Sequence, residues 1–279
     1  MRFAKYQGIG NDFVMIADPG DRVGLTPELV RRLCDRRFGI GGDGVIRVSP
    51  GRDGAELFMD YVNSDGSIGE MCGNGIRCLA LFARAEGLTG ATELSVATRA
   101  GVKFVEVLGG DRVRVDMGPP VFAPADIPVH WEGRDALEVK IQIESGVVEA
   151  ACLSMGNPHA VLFVDDPAAA PVATLGPALE AHPDFPKRTN VEFVTVLAED
   201  RIAMRVWERG VGETLACGTG ACAAAVASKL LAGTSSEAVV ALPGGELEIS
   251  WAGSLEERAS VLLTGPAVRA FSGEIEVGV

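Results

Sequence analysis

A short glycine-flanked cysteine motif occurs twice in this chain. Cys72-Gly73-Asn74-Gly75 opens one apolar run, and Cys217-Gly218-Thr219-Gly220 opens another. Gly10-Asn11 likewise recurs as Gly156-Asn157. Asn11 lies 61 positions before Cys72, and Asn157 lies 60 before Cys217. A repeat this long in 279 residues means two related domains, not a solenoid of short units. Few other positions match, so motif order carries the inference.

The runs after the two motifs are apolar nearly all round, Leu79-Ala80-Leu81-Phe82-Ala83 in one and Ala221-Cys222-Ala223-Ala224-Ala225-Val226-Ala227 in the other. Helices of that kind are enclosed by protein. The pattern predicts one helix from about Gly73 to Glu86, stopped by Gly87. It predicts another from the second motif to about Leu231, stopped by Gly233. Thr26 is a cap and Pro27 a first helical residue for a helix ending near Gly39, and a short helix is expected over 174–181. The rest reads mostly as short strands. These are expected over 13–17, 45–48, 55–62, 92–97, 102–108 and 112–117, then over 137–143, 147–153, 160–164, 190–197, 201–207, 246–251, 259–263, 267–271 and 274–277.

Met117-Gly118-Pro119-Pro120 marks a boundary. The expected domains are 1–117 with Cys72 and 118–265 with Cys217. The remaining 266–279 is expected to return strands to the first half. The expected fold is α/β (α+β): two pseudo-symmetric domains, each a mixed, barrel-like sheet around a central helix, with the two helix N-termini meeting.

Composition excludes several partners. The formal net charge of −13 repels phosphate backbones and anionic lipid, so neither nucleic acid nor a membrane surface is expected. The N-terminus reaches polar Gly10-Asn11-Asp12 without a long apolar core, and a cytoplasmic protein with reduced thiols is expected. The six cysteines do not have zinc-ligand spacing, so no metal is expected. Cys34, Cys78, Cys152 and Cys222 read as buried small hydrophobes. No cofactor is expected either. None of the five lysines has a pyridoxal context, and Gly39-Ile40-Gly41-Gly42-Asp43-Gly44 precedes a strand, not the helix of a dinucleotide site.

A thiol at a helix N-terminus sees unpaired N–H groups and the positive end of the helix dipole, which favours thiolate. Flanking glycines let the backbone approach a carboxylate. Two such termini could grip one α-carboxylate, with the α-carbon between the sulfurs. One thiol would remove a proton and the other return one to the opposite face. The N–H donors would stabilise the charge that builds on the carboxylate.

Five segments carry a more specific resemblance: Gly10-Asn11-Asp12-Phe13; Glu70-Met71-Cys72-Gly73-Asn74-Gly75-Ile76-Arg77-Cys78; Gly156-Asn157-Pro158-His159-Ala160; Arg188-Thr189-Asn190-Val191-Glu192-Phe193; and Trp207-Glu208-Arg209-Gly210-Val211-Gly212-Glu213-Thr214, running on to Cys217-Gly218-Thr219-Gly220-Ala221. In this order they resemble the diaminopimelate epimerase family. The resemblance implies a cofactor-independent enzyme that interconverts LL- and meso-diaminopimelate, on the route to lysine and peptidoglycan precursors. Cys72 and Cys217 match the two bases, with His159 and Glu208 assisting. Gly73, Asn74, Gly218 and Thr219 match backbone donors to the reacting carboxylate. Asn11, Asn63, Asn157, Asn190, Glu208 and Arg209 match the substrate pocket. Gly44 stands where some members carry Gln. A homodimer acting on a small amino acid is expected.

The pocket residues also make chemical sense alone. The distal carboxylate needs a partner such as Arg209, and its ammonium an acceptor such as Glu208. Three other readings remain open at this point. One is a proline or hydroxyproline racemase. Another is a cysteine hydrolase with His159 as base, and the last is an anion-binding module without catalysis.

Overall fold

The computed structural model of the chain describes residues 1–144 and 146–276. They fall into two compact units. One is Met1–Asp116 with the segment from Thr264 onward, and the other is Met117–Leu263.

The first unit runs β1 (Arg2–Gly8), β2 (Asn11–Ala17), α1 (Pro27–Cys34), β3 (Gly44–Pro50), β4 (Leu57–Asn63), α2 (Gly73–Ala85), β5 (Glu93–Thr98), β6 (Gly101–Gly109) and β7 (Arg112–Asp116). β1 and β2 are antiparallel, β2 and β3 parallel, β3 and β4 antiparallel, β4 and β5 parallel, and β5 to β7 antiparallel. Parallel neighbours need a long crossover, and α1 and α2 supply the two required.

The second unit runs β8 (Val139–Ile143), β9 (Gly146–Ser154), β10 (Pro158–Phe163), α3 (Val172–Glu180), β11 (Asn190–Ala198), β12 (Arg201–Glu208), β13 (Gly212–Thr214), α4 (Gly218–Ala232), β14 (Glu237–Leu242) and β15 (Gly245–Ser250). From β9 onward its pairings repeat those of the first unit. β9 and β10 are antiparallel, β10 and β11 parallel across α3, and β11 and β12 antiparallel. β12 and β14 are parallel across α4, and β14 and β15 antiparallel. β16 (Leu262–Pro266) follows, and β17 (Val268–Glu274) pairs with β1. The fold is the duplicated α/β arrangement expected, mostly sheet with few helices.

The two motif helices are the cores of their units. α2 packs on β1, β2, β3, β6 and β7, and α4 packs on β9 to β12, β14 and β15. α2 buries Ile76, Leu79 and Phe82, and full burial of such side chains stabilises by about 1.5–3 kcal/mol each. α4 buries every residue from Gly220 to Ser228, mostly alanine, which lets strands approach closely on all sides. Gly233, at φ 71°, ends α4 with a left-handed residue and donates its N–H to the Ser228 carbonyl.

Some elements differ from expectation. α1 stops at Cys34, well short of Gly39. The Asp35 carboxylate accepts the N–H groups of Arg37 (2.7 Å) and Phe38 (2.8 Å), which gives the backbone a turn in place of further helix. β1 and β14 are strands that the sequence pattern does not single out. β16 begins at Leu262, later than the expected 259–263. β17 closes at Glu274, and Val277, in the expected 274–277 strand, lies outside the described residues.

Cys34, Cys78, Cys152 and Cys222 are all buried, as expected. Burial pushes the Cys34 thiol up to about 11 and the Cys78 thiol to about 12. No helix among the described residues is long and apolar enough to cross a membrane.

Candidate active site: two cysteine half-sites

In the first unit Cys72 is the N-cap of α2, with extended backbone (φ −140°, ψ 119°). Its sulfur accepts the Gly75 N–H at 3.4 Å. Gly75 packs closely on β3: a Cβ there would fall 2.7 Å from Ile46 Cδ1, so that side chain would have to shift. The Cys72 thiol lies 3.6 Å from Asn11 Oδ1, which also accepts from Asn74 Nδ2 (3.3 Å). Asn11 Nδ2 donates to Asp43 Oδ2 at 2.7 Å. Asn11 is thus held at both ends, with its carbonyl turned to the thiol.

A charged lattice fixes the loop behind Asn11. Arg36 bridges Asp12 (2.8 Å) and Asp43 (2.7 Å), and Lys5 pairs with Asp12 at 2.7 Å and donates to the Gly41 carbonyl. Burial pushes the Asp12 carboxyl up, but Arg36 and Lys5 outweigh it and hold that carboxyl at about 2. Beneath the motif, Arg77 is fully buried. Its guanidinium donates to the carbonyls of Gly73 (3.1 Å) and Pro266 (3.2 Å) and to Asn74 Oδ1 (3.0 Å). Asn63, at the end of β4, accepts the Tyr61 hydroxyl at 2.6 Å and donates to Ser67.

In the second unit Cys217 is the N-cap of α4 and 5% exposed. Its sulfur lies 3.5 Å from the Thr219 hydroxyl. Glu208, at the end of β12, accepts the Thr214 hydroxyl and is hydrogen-bonded to Cys217. Burial pushes the Glu208 carboxyl up, and those two bonds pull against it. The helix terminus does not give Cys217 the lowered pKa that the motif alone predicts. Burial pushes this thiol well above its ordinary value, and the Glu208 and Glu192 carboxylates add to the rise. Removing a thiolate from water costs more than one helix terminus returns.

His159 and Glu192 form a fully buried pair on adjacent parallel strands. Nδ1 of the imidazole lies 2.6 Å from Glu192 Oε1, and Nε2 lies 3.0 Å from Asn157 Oδ1. Asn190 is a backbone clamp. Its Nδ2 donates to the Pro158 carbonyl (2.8 Å), and its Oδ1 accepts the Arg209 N–H (3.0 Å). The Arg209 side chain is exposed and reaches the Lys187 carbonyl. Glu180 on α3 braces the same turn through the Trp207 indole (2.7 Å) and the Gly210 N–H (2.9 Å).

Among the described residues no group of three or more His, Cys, Asp or Glu side chains is set to hold a metal ion. Each unit offers a thiol, a polar side chain touching or flanking it, and a glycine-rich helix start. A thiol can exchange a proton, and a glycine-rich helix start presents N–H groups to an anion.

The diaminopimelate epimerase profile matches residues 3–123 and 151–270. The curated diaminopimelate epimerase of Moorella thermoacetica is 48% identical over 279 residues, covering 98% of this chain and 99% of its own. The chain belongs to the diaminopimelate epimerase family. The Leptospira biflexa member is 44% identical over 283 residues, covering 99% of each. Among solved structures, a probable proline racemase from Agrobacterium radiobacter superposes with a TM-score of 0.72 at 18% identity, over 99% of this chain and 93% of that one. A Bacillus anthracis protein of the PhzF phenazine-biosynthesis family gives 0.72 at 16%, over 99% of each. These two likenesses concern the fold.

For this member of the epimerase family, Gly44 offers no side-chain contact. A Cβ there would sit 2.7 Å from both Tyr61 Cε2 and the Val62 carbonyl, and the Tyr61 hydroxyl bonds Asn63 instead. Glu192, Thr214, Asp43 and Arg77 bond directly to these candidate residues, and motif reading does not select them. Glu192 carried a signal, being an acid among Val191, Phe193 and Val194 in a strand.

Proposed function

We propose that the chain interconverts LL- and meso-diaminopimelate by proton transfer at one α-carbon, with Cys72 and Cys217 as the two acid–base groups. One observation carries the reading. A thiol N-caps the central helix of each unit, at the same place in the repeated strand order. Full-length relatives named diaminopimelate epimerase supply the substrate.

In this reading one thiolate takes the α-proton and the other thiol delivers a proton to the opposite face. Cys217, pushed up by burial and two carboxylates, is the thiol that waits protonated. Glu208 relays its proton, and His159 orders Asn157 beside it. Gly73, Asn74, Gly218 and Thr219 offer N–H groups to the reacting carboxylate, where charge builds in the transition state. Asn11 and Asn157 bind the reacting amino-acid group. Asn63 and Arg209, with Asn190 holding the Arg209 turn, bind the distal one. The groups that move protons belong to the protein, and the product feeds lysine and peptidoglycan synthesis in the cytoplasm. A homodimer is the proposed assembly.

Purified protein given LL-diaminopimelate should form meso-diaminopimelate. Lysine lacks the distal carboxylate, and a site built to pair that group rejects it by a factor of about 10^4 or more. Racemisation of lysine or proline at a rate near that of diaminopimelate would overturn this substrate reading and favour a general racemase.

A further inference from the structure

The two units share a strand order but not a chemistry behind the motif helix. In the first unit Phe13 on β2 follows Gly10-Asn11, and Ile46 on β3 stands two places after Gly44, the partner of Phe13 in the parallel register. In the second unit His159 on β10 follows Gly156-Asn157. Glu192 on β11 stands two places after Asn190, the partner of His159. Phe13 and Ile46 therefore match His159 and Glu192 position for position, and all four are fully buried. Ile46 crowds the last glycine of one motif, 2.7 Å from where a Gly75 Cβ would lie. Glu192 Oε1 crowds the other at the same 2.7 Å from a Gly220 Cβ, and Cys217 Sγ lies 3.3 Å from that point.

The scaffold thus accepts an aliphatic side chain where Glu192 stands. A buried carboxylate there is costly, and its Oε2 has no hydrogen-bond partner among protein atoms. An unsatisfied buried oxygen is destabilising. Packing does not account for that cost.

The geometry points to Glu192 as a positioning residue that makes the two half-sites unequal: it fixes the His159 ring from behind and lays a carboxylate against the Cys217 end of α4. The ring is then held between Glu192 Oε1 and Asn157 Oδ1 and cannot turn. The charged and titratable groups facing Cys217 are Glu208 from β12, Glu192 from β11 and, beyond them, His159 from β10. Burial and both carboxylates keep its proton on. No ionisable pair occupies the matching place behind Cys72. The inference rests on Cys217 being a proton-transfer group, and Cys217→Ala is measured alongside to test that point separately.

Glu192→Gln keeps the shape and removes the charge. The expected result is a fall in kcat of about tenfold with KM within about twofold. The alkaline limb of the kcat profile should move down by about one pH unit, since Cys217 loses its proton more easily without the neighbouring carboxylate. Glu192→Asp keeps the charge but withdraws it from the ring. It should lower kcat with the limb nearly in place. Circular dichroism checks folding, and if Glu192→Gln does not fold, the Glu192→Asp result carries the test. Folded variants with parent kcat and an unmoved limb would overturn the inference. So would losses in which KM rises in step with a falling melting temperature, the mark of a structural role. If Cys217→Ala itself stays active, the acid–base reading of Cys217 fails instead.

Discussion

Replacing either Cys72 or Cys217 by alanine is expected to lower epimerase activity by roughly a thousandfold or more, while Cys34→Ala leaves it within about twofold. In the proposed two-thiol reaction each of the first two changes removes one of two proton carriers, and the remaining thiol serves only one face of the carbon. The scaffold should survive both. Each cysteine is an N-cap at a helix start, and the buried faces of α2 and α4 hold them far more firmly than the one Gly75 N–H bond to the Cys72 sulfur. Serine at either place should be nearly as damaging, because a hydroxyl holds its proton far more tightly than a thiol. Cys34 is the fair control. It is a buried thiol at the end of α1, pushed up to about 11 by burial. Steady-state assay of the three variants decides the matter. Near-parent activity in Cys72→Ala or Cys217→Ala would end the two-thiol account.

Arg77→Met should damage stability most. The guanidinium is enclosed beneath the first motif and satisfies two carbonyls and Asn74 Oδ1. Methionine fills similar volume but donates nothing, so two buried acceptors and the part-buried Pro266 carbonyl lose a partner. At about 1–3 kcal/mol for each group left unsatisfied, the expected loss is on the order of 3 kcal/mol. That corresponds to roughly 5–10 °C in melting temperature for a chain of this size. Activity should fall as well, since Asn74 loses its anchor and Asn11 loses a neighbour. A melting temperature within about a degree of the parent would show that Arg77 is not a structural keystone.

What the sequence made legible was local. The two motifs, the apolar runs behind them and their glycine stops predict α2 and α4 nearly to the residue. Both are long, and their signals lie within one element. Repetition of Gly-Asn at a matched offset made the duplicated architecture readable, as topology bears out. β1 was harder. Its middle carries Lys5, whose buried ammonium is balanced by Asp12, and that partner is visible only once β1 and β2 pair. β14 follows a polar stretch that reads as loop, and it is drawn into strand by β12 and β15.

The site divided along the same line. Cysteines beside glycines announce themselves. The His159–Glu192 pair does not, because 33 residues and the crossover through α3 separate two side chains brought to 2.6 Å. Cys217 shows the limit of a motif argument. A helix N-terminus is a local feature and favours thiolate, whereas burial and the carboxylates of β11 and β12 are tertiary and prevail.

The most direct test of the two-thiol account is the isotopic fate of the α-hydrogen during the first turnovers of LL-diaminopimelate in heavy water. Two monoprotic carriers on opposite faces predict that meso product carries solvent deuterium at the inverted carbon from the outset, while unreacted LL substrate keeps its protium. Product that retains the original protium at that carbon would contradict it, since the hydrogen would then have been carried across by a single group.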